Sequence, residues 1–158
     1  MHLGGRDAEV LFLGRGNTAG DTLVWLPDQK ILMTGDLVVY PAPFAFGSFF
    51  SEWGPTLRKA IALKPATIVP GHGPVMHDTS YLELVAEAAD EVSAKVKALA
   101  QQGLSLDEAR AKLDVDDIRE KFARGDEMLR AKFDGLFLGP GVPRAYREAK
   151  EGPLQDEN

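Results

Sequence analysis

Apolar residues come in short runs through the first third of the chain and at helical spacing through the second half. Glu9-Val10-Leu11-Phe12-Leu13 is a run closed by Gly14-Arg15-Gly16, which predicts a strand and a turn. Thr22-Leu23-Val24-Trp25-Leu26 and Lys30-Ile31-Leu32-Met33-Thr34 flank Pro27-Asp28, the pattern of a β-hairpin whose second strand is expected to end at Gly35-Asp36. Leu37-Val38-Val39-Tyr40 then leads through Pro41-Ala42-Pro43 into an extended loop carrying Phe44, Phe46, Phe49, Phe50 and Trp53. From Thr56 to Leu63 the positions Leu57, Ala60, Ile61 and Leu63 fall on one side of a helix, which Lys64-Pro65 stops. Ala66-Thr67-Ile68-Val69 reads as a short buried strand ended by Pro70-Gly71-His72-Gly73-Pro74.

The second half is helical in pattern. A helix capped at Thr79 or Ser80 runs to about Gln102, with Leu82, Val85, Ala89, Val92, Val96 and Leu99 on its packing face and Gly103 past its end. Ser105-Leu106-Asp107-Glu108 has capping-box spacing. Shorter helices are expected near 115–122, 126–138 and 142–150, and the polar tail from Gly152 to Asn158 is expected to fray. The fold class is therefore α/β (α+β), with a β-rich part over 1–78 and a helical C-terminal region over 79–158. No internal repeat or low-complexity segment interrupts it.

Composition narrows the partners more than the chemistry. The 158 residues carry a net charge of −6, which leaves no basic face for nucleic acid, and the 18 Lys and Arg are too dispersed to mark an anionic membrane surface. No apolar stretch approaches the roughly 20 residues of a membrane span. The start, Met1-His2-Leu3-Gly4-Gly5, has no apolar leader, so a cytoplasmic location is the default expectation. Zero cysteines exclude disulfides, thiolate metal sites and a Cys nucleophile.

Three short motifs stand at the ends of predicted strands: Gly14-Arg15-Gly16-Asn17-Thr18-Ala19-Gly20-Asp21, Thr34-Gly35-Asp36 and Val69-Pro70-Gly71-His72-Gly73. Each alone is what a turn looks like. Taken in order, and with the hairpin between them, they resemble the C-terminal half of the metallo-β-lactamase superfamily from about Val10 to Pro74. The residues from Ser80 to about Lys150 resemble, more weakly, the helical extension of one bacterial branch of that superfamily. The resemblance implies half of an αββα sandwich followed by a helical extension. It also implies a dinuclear zinc centre in which Asp36 bridges two ions, His72 ligates one, and position 17 is a ligand. Imidazole and carboxylate suit zinc, and zinc-bound water ionises near neutral pH to become a nucleophile.

Two departures limit that reading. The family's Gly-His-Thr-x-Gly-Asp has Asn17 where its ligating His stands, and a neutral amide oxygen is a poor zinc ligand. The family's His-x-His-x-Asp-His motif is not in this sequence, whose only histidines are His2, His72 and His77. His2 and His77 read as exposed residues, and Asp21 and Thr18 as residues that order the turn. The aromatic residues between 44 and 53 read as packing in preference to a substrate-facing loop.

The functional expectation is a metal-dependent hydrolase by resemblance, acting on an ester, thioester, lactam or similar bond of a small molecule. As this chain it is expected to be truncated and weakly active or inactive. The alternative is a non-catalytic binding or oligomerisation module derived from that fold. Half a sandwich exposes a sheet face suited to burial, so a homo-oligomer or a complementing N-terminal half is the expected partner. A site shared across a dimer, with His2 or His77 joining Asp36 and His72, is a third arrangement.

Overall fold

The computed structural model describes residues 2–3 and 5–155. Its strands are β1 (His2–Leu3), β2 (Arg6–Asp7), β3 (Glu9–Phe12), β4 (Thr22–Leu26), β5 (Ile31–Val39) and β6 (Thr67–His72). β1 and β2 form a small antiparallel ladder, while the other four make one sheet in the order β3-β4-β5-β6. β3, β4 and β5 pair antiparallel, and β6 joins β5 in parallel after a crossover through helix α1 (Phe50–Ala62). Side chains alternate across a strand with period two. The register accordingly builds a buried row of Trp25, Leu32 and Ile68 on one face and a row of Val10, Val24, Met33 and Val69 on the other.

The buried face packs against α1 and α2 (Ser80–Gln101), followed by α3 (Leu106–Lys112), α4 (Asp116–Ala123), α5 (Glu127–Phe133), a π-helical turn (Asp134–Leu138) and α6 (Gly139–Glu151). The fold is mixed α/β. One continuous core joins sheet and helices, with Leu82, Val85 and Val92 of α2 buried beside Leu23 and Leu32 of the sheet. An aromatic chain crosses it: Trp53 and Phe50 meet Phe137, Phe137 meets Phe133, and Phe133 stacks on Phe122. The capping box is present, with Ser105 and Glu108 satisfying each other's backbone N–H. No helix among the described residues is long and apolar enough to cross a membrane.

Several elements differ from the sequence expectation. β5 does not end at Gly35-Asp36 but passes through it, because a left-handed Gly35 (φ 52°) lets the strand bulge and resume. α1 starts at Phe50, not at Thr56, and takes in Trp53, Gly54 and Pro55 from the end of the expected loop. Burial of Phe50 and Trp53, together with the Trp53 indole N–H donating to the Leu37 carbonyl at 3.1 Å, outweighs the backbone hydrogen bond that Pro55 cannot make. β6 continues through Pro70 to His72, and its place at the sheet's edge tolerates the missing proline N–H. The tail is held as far as Leu154, which is buried and whose carbonyl accepts from the Arg15 guanidinium at 2.7 Å.

The helical region also caps the α1 N-terminus. Glu148 of α6 is buried, and its Oε2 accepts from the Ser51 N–H at 2.8 Å while Oε1 has no hydrogen-bond partner. Burial pushes the Glu148 carboxyl upward, against the lowering effect of its Ser51 bonds. A raised folded value means that the folded chain holds this proton more tightly than the unfolded chain does. The contribution is thus full below the ordinary glutamate value, about 4.3, and is lost as pH rises through the folded one. Glu148→Gln removes that titration. Thermal melts from pH 4 to 8 should show a variant whose stability relative to the parent improves as pH rises; parallel profiles would contradict this account.

Candidate functional site

The parallel pairing of β5 and β6 places Asp36 beside His72. Gly35 is in register with Pro70 and Val39 with His72, so β5 takes four steps where β6 takes two. The surplus residues loop outward and carry Asp36 over Gly71. A Cβ on Gly71 would lie 2.1 Å from Asp36 Oδ1 and 2.8 Å from the Asp36 backbone nitrogen. The bulge therefore needs glycine at 71 for space as well as at 35 for φ. Past the strand, the Tyr40 N–H donates to the His72 carbonyl at 3.0 Å, and Gly73 (φ 106°) lies against the Tyr40 ring. The result is a carboxylate and an imidazole, Oδ1 to Nε2 3.4 Å apart, both open to solvent at 52% and 68% exposure.

The first motif folds into a separate, tightly tied turn. Asp21 is buried and accepts from the Thr18 N–H at 3.1 Å and the Thr18 hydroxyl at 2.6 Å. Desolvation nonetheless raises its carboxyl above the usual aspartate range. The turn is fastened to its surroundings by the Phe49 N–H donating to the Gly16 carbonyl and by the Thr56 hydroxyl donating to the Arg15 carbonyl. Arg15 itself pairs with Glu52 and lies over the Phe49 ring. Asn17 is 4% exposed, its Oδ1 has no hydrogen-bond partner, and its carbonyl is packed against Gly47. It is held as a packed residue of this turn.

Among the described residues no group of three or more His, Cys, Asp or Glu is arranged to hold a metal ion. His77 is exposed next to Asp78, whose carboxylate accepts from Ser80 and lies below its usual range. The side chain of His2 lies outside the described residues. The aromatic segment divides in two: Phe49, Phe50 and Trp53 are buried, whereas Phe44 and Phe46 are exposed and stack on one another with centroids 4.5 Å apart. A period-two pattern marks the division, since Phe44 and Phe46 alternate with buried Pro43 and Ala45. The sequence reading missed Gly71 as the residue that admits Asp36, and it missed Glu148 and Arg15 as ties to the helical region. Their partners lie from 35 to 139 positions away in sequence, beyond the reach of any local pattern.

Comparison with known proteins bears on this geometry. The family model of the Metallo-beta-lactamase superfamily matches residues 2–72, which span the sheet, the bulge and His72. Over residues 2–72 the chain is similar to the metallo-β-lactamase superfamily. Metallo-beta-lactamase IND-1 of Chryseobacterium indologenes is 34% identical over 76 residues, a match covering 44% of this chain and 32% of that protein. Among solved structures, the metallo-beta-lactamase from Pontibacter korlensis is 30% identical with a TM-score of 0.50, covering 56% of this chain and 44% of its own. Metallo-beta-lactamase IND-7 is 28% identical with a TM-score of 0.50 and covers 57% of this chain and 44% of its own. The chain thus spans about a third of the length of the curated relative it matches.

Gly71→Ala tests the bulge. Two of the three atoms that its Cβ would meet are backbone, at 2.7 and 2.8 Å, so the strands must part and the cost should be about 1–3 kcal/mol in urea unfolding. The same substitution at Gly20, whose Cβ position is open and whose φ, like that of Gly71, lies outside the left-handed region, controls for loss of a glycine without a clash. Equal losses at the two positions would remove the steric account.

Proposed function

We propose that this chain carries part of the metal centre of a metallo-β-lactamase-fold hydrolase, with Asp36 and His72 as two ligands to zinc. The observation that supports this is their 3.4 Å separation. Two ligands each about 2.0–2.1 Å from a tetrahedral zinc stand about 3.4 Å apart, whereas an N–H···O hydrogen bond has its mode near 2.9–3.0 Å. The donor set fits the metal chemically, since a carboxylate and an imidazole are both ordinary zinc ligands. Such an ion, when bound, supplies water acidic enough to act as hydroxide at neutral pH.

The chain's own part is to hold two donors at a fixed spacing on strand backbone. β5 holds Asp36 through its bulge, and the Tyr40-to-His72 main-chain bond steadies the end of β6. Asn17 contributes structure to the adjacent turn and is the weakest candidate ligand. The substrate class is a small molecule with an ester, thioester, lactam or similar bond, in keeping with relatives that are named metallo-beta-lactamases. With two ligands from this chain, hydrolysis should be weak or absent until other donors complete the site. A second reading, a non-catalytic binding or oligomerisation module, is favoured by the apolar row on the open face of the sheet.

Competition titration with a chromophoric zinc chelator tests the proposal. The parent chain should bind zinc, and Asp36→Asn and His72→Ala should each weaken binding by roughly tenfold or more, with unchanged far-UV circular dichroism. His77→Ala should bind like the parent. Parental affinity in both Asp36→Asn and His72→Ala would exclude this pair as ligands.

A further inference from the structure

β5 carries a polar side chain on its core-facing side. Thr34 is 1% exposed, one alternation after the fully buried Leu32 and between exposed Met33 and Gly35. A hydroxyl in such a place costs free energy unless it is hydrogen-bonded, a demand that an apolar residue would not make. Its oxygen lies 3.0 Å from the Gly35 carbonyl oxygen and 3.5 Å from that of Val69. A hydroxyl has one proton to give, and the Gly35 carbonyl is the nearer acceptor.

The register shows what that bond holds. Met33 pairs with Val69 and Gly35 with Pro70, so Thr34 is the surplus residue of a first shift, just before the larger one that carries Asp36. Pro70, opposite Gly35, has no N–H to offer β5. The Thr34 hydroxyl supplies a donor at that point from within β5. The carbonyl it meets belongs to the peptide joining Gly35 to Asp36, the same unit that lies against Gly71, where a Cβ would stand 2.7 Å from the Gly35 carbonyl carbon. Gly35 has no side chain to restrict how this peptide turns. We propose that Thr34 is a positioning residue: its hydroxyl fixes the plane of the Gly35–Asp36 peptide and so aims the Asp36 carboxylate across Gly71 at His72. The role rests on the zinc reading for its chemical purpose. The aim of Asp36 is nevertheless present without metal, with Oδ1 3.4 Å from Nε2 of His72, and is measurable in the metal-free chain.

Nuclear Overhauser contacts between the Asp36 β-protons and the His72 ring, recorded on the full chain without zinc, read that aim. The parent should show them. Thr34→Val keeps the branched shape and removes the hydroxyl, and Thr34→Ala removes it without adding a buried methyl; both should lose most of the contact intensity. Thr34→Ser keeps the hydroxyl and should recover it. Ile118→Val, which shortens a fully buried side chain of α4, lowers stability without touching the bond and should match the parent. With zinc and a competing chelator, affinity should fall roughly tenfold in Thr34→Val and return in Thr34→Ser. A parent without the contacts, full contacts in Thr34→Val or Thr34→Ala, no recovery in Thr34→Ser, or an equal loss in Ile118→Val would each overturn the proposal. Contacts that follow the hydroxyl in a chain that binds no zinc would uphold the positioning role and sink the zinc reading alone.

Discussion

The register between β5 and β6 slips by two residues between Gly35 and Val39, and the candidate site depends on that slip. A parallel pair in even register would hold the carboxylate and the imidazole at the spacing of neighbouring strands, about 4.8 Å between backbones, with their side chains set by pleat alone. The bulge breaks that constraint and leans Asp36 across Gly71 toward His72. Two glycines make it possible, one by adopting a left-handed φ and the other by lacking a Cβ. Everything around the site serves to hold these two strands still: the buried row beneath them, the crossover helix α1 between them, and the main-chain bond from Tyr40 to His72.

The helical region contributes through α1. Glu148 caps its first turn, Arg144 donates to the Ser48 carbonyl, and the Ala45 N–H donates to the Leu136 carbonyl of the π-helical turn. These ties fasten the stretch from Ala45 to Ser51, which links β5 to α1, directly to the helices that follow β6. The aromatic chain from Trp53 to Phe122 lies beneath the same contacts. Sheet and helices therefore share one core, and disturbance at α6 should be felt at the start of α1. The part of the chain that the family match covers ends at His72, ahead of α2 and the helices that follow it.

Much of this arrangement was legible in the sequence. β4 appears where Thr22–Leu26 alternates, α2 where leucine and valine recur at helical spacing, and the capping box where Ser105 stands three before Glu108. The motif order that carried the family resemblance also picked out Asp36 and His72, the two residues the structure brings together. What was not legible depends on distant contacts. Gly35-Asp36 reads locally as a strand end, because only pairing with β6 reveals a bulge. The stretch through Phe50 and Trp53 reads locally as loop, because the burial of Phe50 and Trp53 against Phe137 is invisible from either segment alone. Asn17 read as an altered ligand position, and the structure adds that it is packed in a turn secured by Asp21 and Phe49.

The central claim is that Asp36 and His72 form a pair of donors at metal-ligand spacing. With only three histidines in the chain, their imidazole nitrogens can be resolved individually by long-range proton–nitrogen NMR. On addition of zinc, the account predicts a ligation shift at Nε2 of His72, with His77 unmoved, and loss of that shift in Asp36→Asn. A spectrum in which zinc leaves His72 Nε2 unchanged, or in which His77 responds in its place, would contradict it.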